Sequence, residues 1–260
     1  MNVPQVAVFD TGFHQTMPDY AYMYALPYEL YEKEGIRRYG FHGTSHRYVS
    51  MRAIDMLGGK AEGTRIVTCH LGNGSSISAV KDGKCFDTTM GLTPLEGIIM
   101  GTRCGSIDPA IVTTIMAARN LSPAEMDTLM NKKSGMLGIA GTSDNRTIEG
   151  LAKNGDKKAQ LVENMLCHQL VKYIGGFAAA MGGVDAVVFT GGIGENNPHY
   201  RTRVAEKLAF LGTAIDEEKN SVRGEEIEIS VPGSKVKLLV IPTNEELMIA
   251  KDTLEIVSAL

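Results

Sequence analysis

Residues 65–78 read RIVTCHLGNGSSIS, an apolar run that breaks at a glycine-framed polar turn and then resumes with strand-favouring residues. Ile66, Val67 and Cys69 suit a strand covered on at least one side. Gly72 and Gly74 flank Asn73, and glycines this close permit positive φ and let a ligand reach backbone N–H groups without meeting a Cβ. Ser75 and Ser76 add hydroxyls. Taken alone, the stretch is equally compatible with a plain β-hairpin corner. Residues 186–197, AVVFTGGIGENN, repeat the design: a strand-like run, then a glycine-rich polar loop. Two such loops on two strands predict the two walls of a phosphate or nucleotide cleft.

Upstream, residues 6–9 (VAVF) predict a short strand ending at Asp10, Thr11 and Gly12. An acid there stands where α/β proteins keep a catalytic or metal-binding carboxylate, a turn-forming aspartate being the plain alternative. Residues 13–35 carry Pro18, Pro27 and five tyrosines, a pattern that wraps a surface rather than forming one long helix. A helix then begins near Thr44 or Ser45, read as its cap, and stops at Gly58 and Gly59. It keeps His42 and His46 near an N-terminus that favours anions. Asp82 and Gly83 close a hairpin.

Arg103 lies among small residues in GTRCG, ahead of a helix starting at Asp108; it could reach a phosphoryl group or serve as a surface ion pair. Ser122 to Glu125 read as a capping box. Residues 138–147 read as a polar loop able to border a base. From Lys157 an amphipathic helix carries Leu161, Met165, Leu166, Leu170, Ile174, Phe177 and Met181 as core. Strands at 226–231 and 235–241 precede Glu245 at a strand-to-helix turn and a last helix from Leu247. The alternation of strand and helix predicts α/β architecture.

Composition excludes several classes. The chain has 260 residues, 43% hydrophobic and 22% charged, with net charge −4 and no basic cluster, which argues against a nucleic-acid partner. No apolar run reaches membrane-spanning length and no signal-peptide layout opens the chain, so a cytoplasmic location is expected, with no membrane partner. Cys69, Cys85, Cys104 and Cys167 form no C-x-x-C pair and read as reduced packing residues. Neither glycine loop is a P-loop, and GGIGEN does not supply G-x-G-x-x-G. Backbone-donor loops, an arginine, histidines and acids at element ends suit phosphoryl transfer around a metal-bound nucleotide.

In order, VAVFDTGFHQTMP, RYGFHGTSH, CHLGNGSS, GTRCGSIDP, FTGGIGEN and PTNEEL resemble the motifs of the acetokinase family across essentially the whole chain. The resemblance implies the C-terminal ribonuclease-H-like domain of the superfold shared by actin, sugar kinases and heat-shock chaperone ATPases: a mixed sheet flanked by helices. It implies Asp10 as catalytic aspartate, with His42 and Arg103 stabilising the transferring group. His70, Leu71, Gly72, Asn73 and Gly74 match the phosphate-contacting turn. Asp144, Asn145 and Arg146, with Gly192, Ile193, Gly194, Glu195 and Asn196, match the adenosine-binding segments, and Glu245 matches the magnesium-site glutamate.

The implied cofactor is Mg2+ or Mn2+, with ATP/ADP and acetate/acetyl phosphate as substrates and a homodimer formed through the C-terminal domain. Family members are longer. Residues 1–12 are therefore expected to be the last strand of a mostly absent N-terminal domain, 13–244 the nucleotide-binding domain, and 245–260 a helix returning to the former. Impaired turnover of the chain alone is the matching expectation. The alternatives are a non-catalytic nucleotide-binding half that needs a separate N-terminal chain, or a propionate or butyrate kinase.

Overall fold

The computed structural model describes residues 3–259; Met1, Asn2 and Leu260, the outer ends of the expected 1–12 and 245–260 segments, lie outside the described residues. Among the described residues, β1 (Arg65–Leu71), β2 (Ser75–Lys81), β3 (Lys84–Thr88), β4 (Ala186–Thr190), β5 (Ile227–Glu228) and β6 (Lys237–Val240) form one sheet in the order β3-β2-β1-β4-β6-β5. The β3-β2-β1 meander is antiparallel, β1, β4 and β6 are mutually parallel, and β5 closes the other edge antiparallel. This is the expected mixed sheet.

Helices α1 (Asp19–Tyr22), α2 (Tyr28–Glu34) and α3 (Gly43–Met56) precede the sheet. Between β3 and β4 come α4 (Pro109–Arg119), α5 (Pro123–Lys132), α6 (Gly135–Ala140), α7 (Asn145–Lys153) and α8 (Lys157–Met181). Then follow α9 (Gly191–Asn196), α10 (Pro198–Lys207), α11 (Glu217–Asn220) and, after β6, α12 (Glu245–Ser258).

Period-two alternation divides the sheet's residues between two cores. Val67, Cys69, Leu71, Ile77, Ala79, Val187 and Phe189 pack with Leu166, Leu170 and Ile174 of α8 and Val204 of α10. Ile66, Val80, Ala186, Val188 and Leu239 point the other way, onto Val49, Ala53 and Ile54 of α3. With helices on both faces, β1 and β4 are buried almost throughout, which explains their near-continuous apolar character. The α8 stripe buries as read at Leu166, Leu170, Ile174, Phe177 and Met181, but Leu161 is 49% exposed because in the first turns the buried face is carried by Ala159, Val162 and Glu163 instead. Asp156 caps α8 through Lys158 and Ala159 N–H, and Gly182 ends it at φ 77°.

Several local readings hold. The Ser122 box is formed in both directions, Asp82 and Gly83 take positive φ in the β2–β3 turn, and residues 13–35 fold as a 3-10 turn, α1 and α2. Others need correction. Residues 6–9 join no ladder: Phe9 is 73% exposed, and no sheet edge runs beside the segment to satisfy its backbone. GGIGEN is not a loop but the helix α9, because Gly191 at φ 75° turns the chain out of β4 directly into a helical turn. Helix α3 starts two to three residues earlier than read, with His42 itself as N-cap at φ 57° and Ser45 turned inward to His70. The 138–147 loop shrinks to residues 141–144 between α6 and α7. The 226–231 strand pairs only at Ile227 and Glu228, since Ser230 instead bridges to Ile215. Helix α12 opens at Glu245, capped by Asn244.

Candidate active site

Parallel strands β1, β4 and β6 end on the same side of the sheet, and the chain leaves them at Gly72, Gly191 and residues 241–244, where open α/β sheets bind ligands. Gly72 N–H donates to Gly74 O and to Ser75 Oγ, both at 3.1 Å, which folds the first turn onto itself. A Cβ on Gly191 would stand 2.7 Å from Leu71 O, so only glycine lets the end of β4 pass the end of β1. The Arg103 loop is latched to the first turn: Gly101 N–H donates to Asn73 O at 3.1 Å, and a Cβ on Gly101 would collide with the Asn73 carboxamide.

A cleft of about 500 Å³ opens between these turns and α7, lined by Gly72, Asn73, Asp144, Asn145, Arg146, Glu149, Gly192, Ile193, Asn196, Asn197 and Arg223. Eight of the residues named from the sequence meet there. Leu71 and Gly194 do not: Leu71 belongs to the α8-side core, and Gly194 is buried where an added Cβ would stand 3.3 Å from the Phe189 carbonyl carbon. Glu195 turns inward, its Oε1 accepting from Gly191 N at 2.8 Å, Thr243 N at 3.2 Å and Thr190 Oγ1 at 3.3 Å. That carboxylate therefore caps its own helix and ties the β4 and β6 exits together.

Sequence reading missed Glu149, Asn197 as a lining residue, and Arg223. Glu149 Oε2 accepts from Asn197 Nδ2 at 3.1 Å, and the Arg223 guanidinium donates to the Asn196 carbonyl. Asn197 caps α10, accepting from Tyr200 N–H; Arg223, after α11, carries no local signal.

His42 and Arg103 meet beside Gly74, one residue on from the cleft-lining Asn73. A Cβ placed on Gly74 would lie 3.3 Å from His42 Nε2 and 3.5 Å from Arg103 Nη1, so both donors converge on one bare backbone face. Arg103 is held there by its Nη1 bond to Pro94 O at 3.0 Å. Asp10 Oδ2 accepts His42 N–H at 2.6 Å and Asp10 O accepts Gly43 N–H at 2.8 Å, which fixes the left-handed turn at His42. The His70 ring stacks on His42 with centroids 4.2 Å apart, and its Nδ1 lies 2.8 Å from Ser45 Oγ. His70 thus supports His42 from below and does not line the cleft.

Burial, then the positive Arg103, lowers the His42 pKa to about 4, so the ring is neutral at pH 7. Burial, then His42, lowers His70 to about 3. Glu245 is raised by burial and then by the negative Asp10. Repulsion between these two carboxylates is what a bound cation would relieve. Among the described residues no three His, Cys, Asp or Glu side chains gather as a closed metal site, so any cation here would rest on one or two carboxylates plus water and ligand oxygens.

The sequence profile of the Acetokinase family matches residues 1–251. The chain belongs to the acetokinase family. It is similar to the acetate kinase of Carboxydothermus hydrogenoformans, 62% identical over 98% of this chain and 64% of that protein. The acetate kinase of Methanosarcina thermophila is 60% identical over 98% of this chain and 62% of its own length. This acetokinase chain therefore spans under two thirds of the length of these relatives. The crystal structure of Porphyromonas gingivalis acetate kinase superposes with TM-score 0.93 at 52% identity, over 96% of this chain and 63% of that one. A propionate kinase from Francisella tularensis superposes with TM-score 0.88 at 48% identity, over 94% and 62%.

Proposed function

We propose that this acetokinase chain takes part in reversible phosphoryl transfer from ATP to the carboxylate of acetate, giving acetyl phosphate and ADP. The observation that carries this reading is the convergence of His42 Nε2 and Arg103 Nη1 on Gly74, beside a cleft walled by backbone turns. An acetate oxygen attacks the γ-phosphorus in line; its new bond to phosphorus forms as the bond from phosphorus to the ADP oxygen breaks, and no proton moves. Arg103 and neutral His42 donate to the equatorial oxygens as charge spreads over them. Asp10 holds the His42 backbone.

Glu245, with Asp10 beside it, would hold magnesium or manganese. When bound, that cation would neutralise charge on the nucleotide phosphates. Gly72 and Asn73 face the phosphates, while Asp144, Asn145, Arg146, Gly192, Ile193 and Asn196 border ribose and base. Residues 13–244 act as the nucleotide-binding unit, and 1–12 and 245–260 face the rest of a longer acetokinase. The reading assigns a cytoplasmic location; among the described residues no helix is long and apolar enough to cross a membrane.

Hydroxylamine trapping with magnesium, ATP and acetate tests the reading. Acyl hydroxamate should form slowly with this chain alone and fall by a further factor of about 10²–10³ in Arg103→Ala, the loss typical for one donor to a developing charge. Turnover appearing only when an N-terminal acetokinase domain is supplied in trans would make the chain a nucleotide-binding half. No turnover in either arm and no binding of magnesium-ADP would overturn the reading. The propionate kinase likeness supports propionate as a second acceptor, judged by kcat/KM for acetate, propionate and butyrate. A homodimer is supported by α4, which buries no residue and leaves Ile111 exposed; Ile111→Asp should yield a monomer in light scattering.

A further inference from the structure

Four of the chain's six histidines, His14, His42, His46 and His70, gather on the α3 side of the sheet, and only some of their bonds are explained by the site above. Ser76 Oγ lies between two of them, 2.8 Å from His42 Nδ1 and 2.7 Å from His46 Nε2. His46 Nδ1 lies 2.7 Å from Thr68 Oγ1. His46, Ser76 and Thr68 are all 0% exposed, so no bulk water enters the count of donors and acceptors.

We infer that Thr68, His46 and Ser76 form a one-way hydrogen-bond chain that holds His42 as the neutral tautomer protonated at Nε2, with that N–H facing the transferring phosphoryl group. The inference rests on the proposed phosphoryl transfer for its purpose, and on proton counting for its direction. A neutral imidazole has one N–H and one acceptor nitrogen, and each hydroxyl has one hydrogen.

In the first order, Thr68 O–H donates to His46 Nδ1, His46 Nε2–H donates to Ser76, and Ser76 O–H donates to His42 Nδ1. All three bonds are 2.8 Å or shorter, and the remaining proton sits on His42 Nε2. In the reverse order the Thr68 hydrogen must go to Ser78 O at 3.4 Å, the weak end of the hydrogen-bond range. Ser78 already stands opposite Thr68 in the β1–β2 ladder. The reverse order also turns a lone pair of His42 toward the point that Arg103 Nη1 shares, where an anion would meet repulsion. Burial drives His46 well below the ordinary histidine pKa, in keeping with a neutral link. Ser76, His46 and Thr68 are positioning residues: they act through His42 and touch no substrate.

The test is two-bond 1H–15N correlation of 15N-histidine-labelled protein at pH 7.5, with His42→Gln and His46→Gln assigning the signals. The expected spectrum has His42 and His46 each protonated at Nε2. Thr68→Val, nearly isosteric but without the hydroxyl, should leave His42 in mixed tautomers, whereas Thr68→Ser should keep the single one. Ser76→Ala should likewise mix the tautomers and lower kcat of the transfer about ten- to a hundredfold, with nucleotide KM changed less than twofold. A wild-type His42 protonated at Nδ1 or on both nitrogens overturns the chain, as does a single tautomer surviving in Thr68→Val and Ser76→Ala. The spectrum contains no substrate, so correct tautomers without transfer would sink the proposed function and leave the hydrogen-bond chain standing.

Discussion

The two faces of β1 and β2 differ in kind. Toward α8 they present Val67, Cys69, Leu71, Ile77 and Ala79 and form a dry core. Toward α3, next to Ile66 and Val80, they present Thr68, His70, Ser76 and Ser78, all engaged with side chains of α3, β3 or the His42 turn. One hairpin thus serves as structural wall and as site support, because alternation sends successive side chains to opposite faces. A dry face tolerates no polar group without a partner, and a polar face must satisfy every one it buries. On the α3 side that satisfaction runs through neutral histidines, which makes that side the one sensitive to acid.

The largest expected effect breaks this contrast by pH. His14, His42, His46 and His70 all have pKa values lowered by burial, His42 to about 4 and His70 to about 3. Below about pH 6.5 the unfolded chain takes up protons that the folded chain refuses, so stability falls as pH falls toward 4. Each ring that stays neutral in the fold steepens the fall by up to about 1.4 kcal/mol per pH unit, and His42 and His70 do so down to their folded values of about 4 and about 3. Urea unfolding at pH 7.5 and 5.5 should show it, and a flat profile would mean the rings are already charged in the fold.

Next is Arg103→Ala, expected to cost the proposed transfer about 10²–10³ while thermal stability moves little, since the side chain's recorded bonds are to Pro94 O and Met100 Sδ. On the dry face, Leu170→Ala should remove about 3 kcal/mol of stability in denaturant unfolding, the cost of a cavity under a fully buried leucine. If it lowers turnover of the remaining folded protein more than stability, the two faces are less separate than their chemistry implies. The smallest is Ser122→Ala, away from both faces, which breaks the α5 capping box and should cost about 1 kcal/mol.

Much of this was legible locally. The β1–β2 hairpin, the Ser122 box, the Asp82 and Gly83 turn and the apolar stripe of α8 each depend on residues two to four apart, the range over which pattern and capping act. The convergence of His42 and Arg103 was also approachable, since each stands beside glycines at an element end. The signal for Glu195 misled: a carboxylate in a glycine-rich turn looks ligand-facing, yet the nearest unsatisfied donors were the N–H groups of its own helix and of Thr243.

By itself, then, the sequence determined the elements that close within a turn or a hairpin, and through six ordered motifs the family. Tertiary structure alone decided the rest. Residues 6–9 have strand propensity, but a strand exists only when another strand's backbone lies beside it, and here none does. Thr68, Ser76 and His46 are ordinary residues until α3 packs on the sheet and leaves one hydroxyl between two imidazoles. Propensity is a property of neighbours in the chain, whereas a buried hydrogen bond is decided by which distant groups burial has left without water.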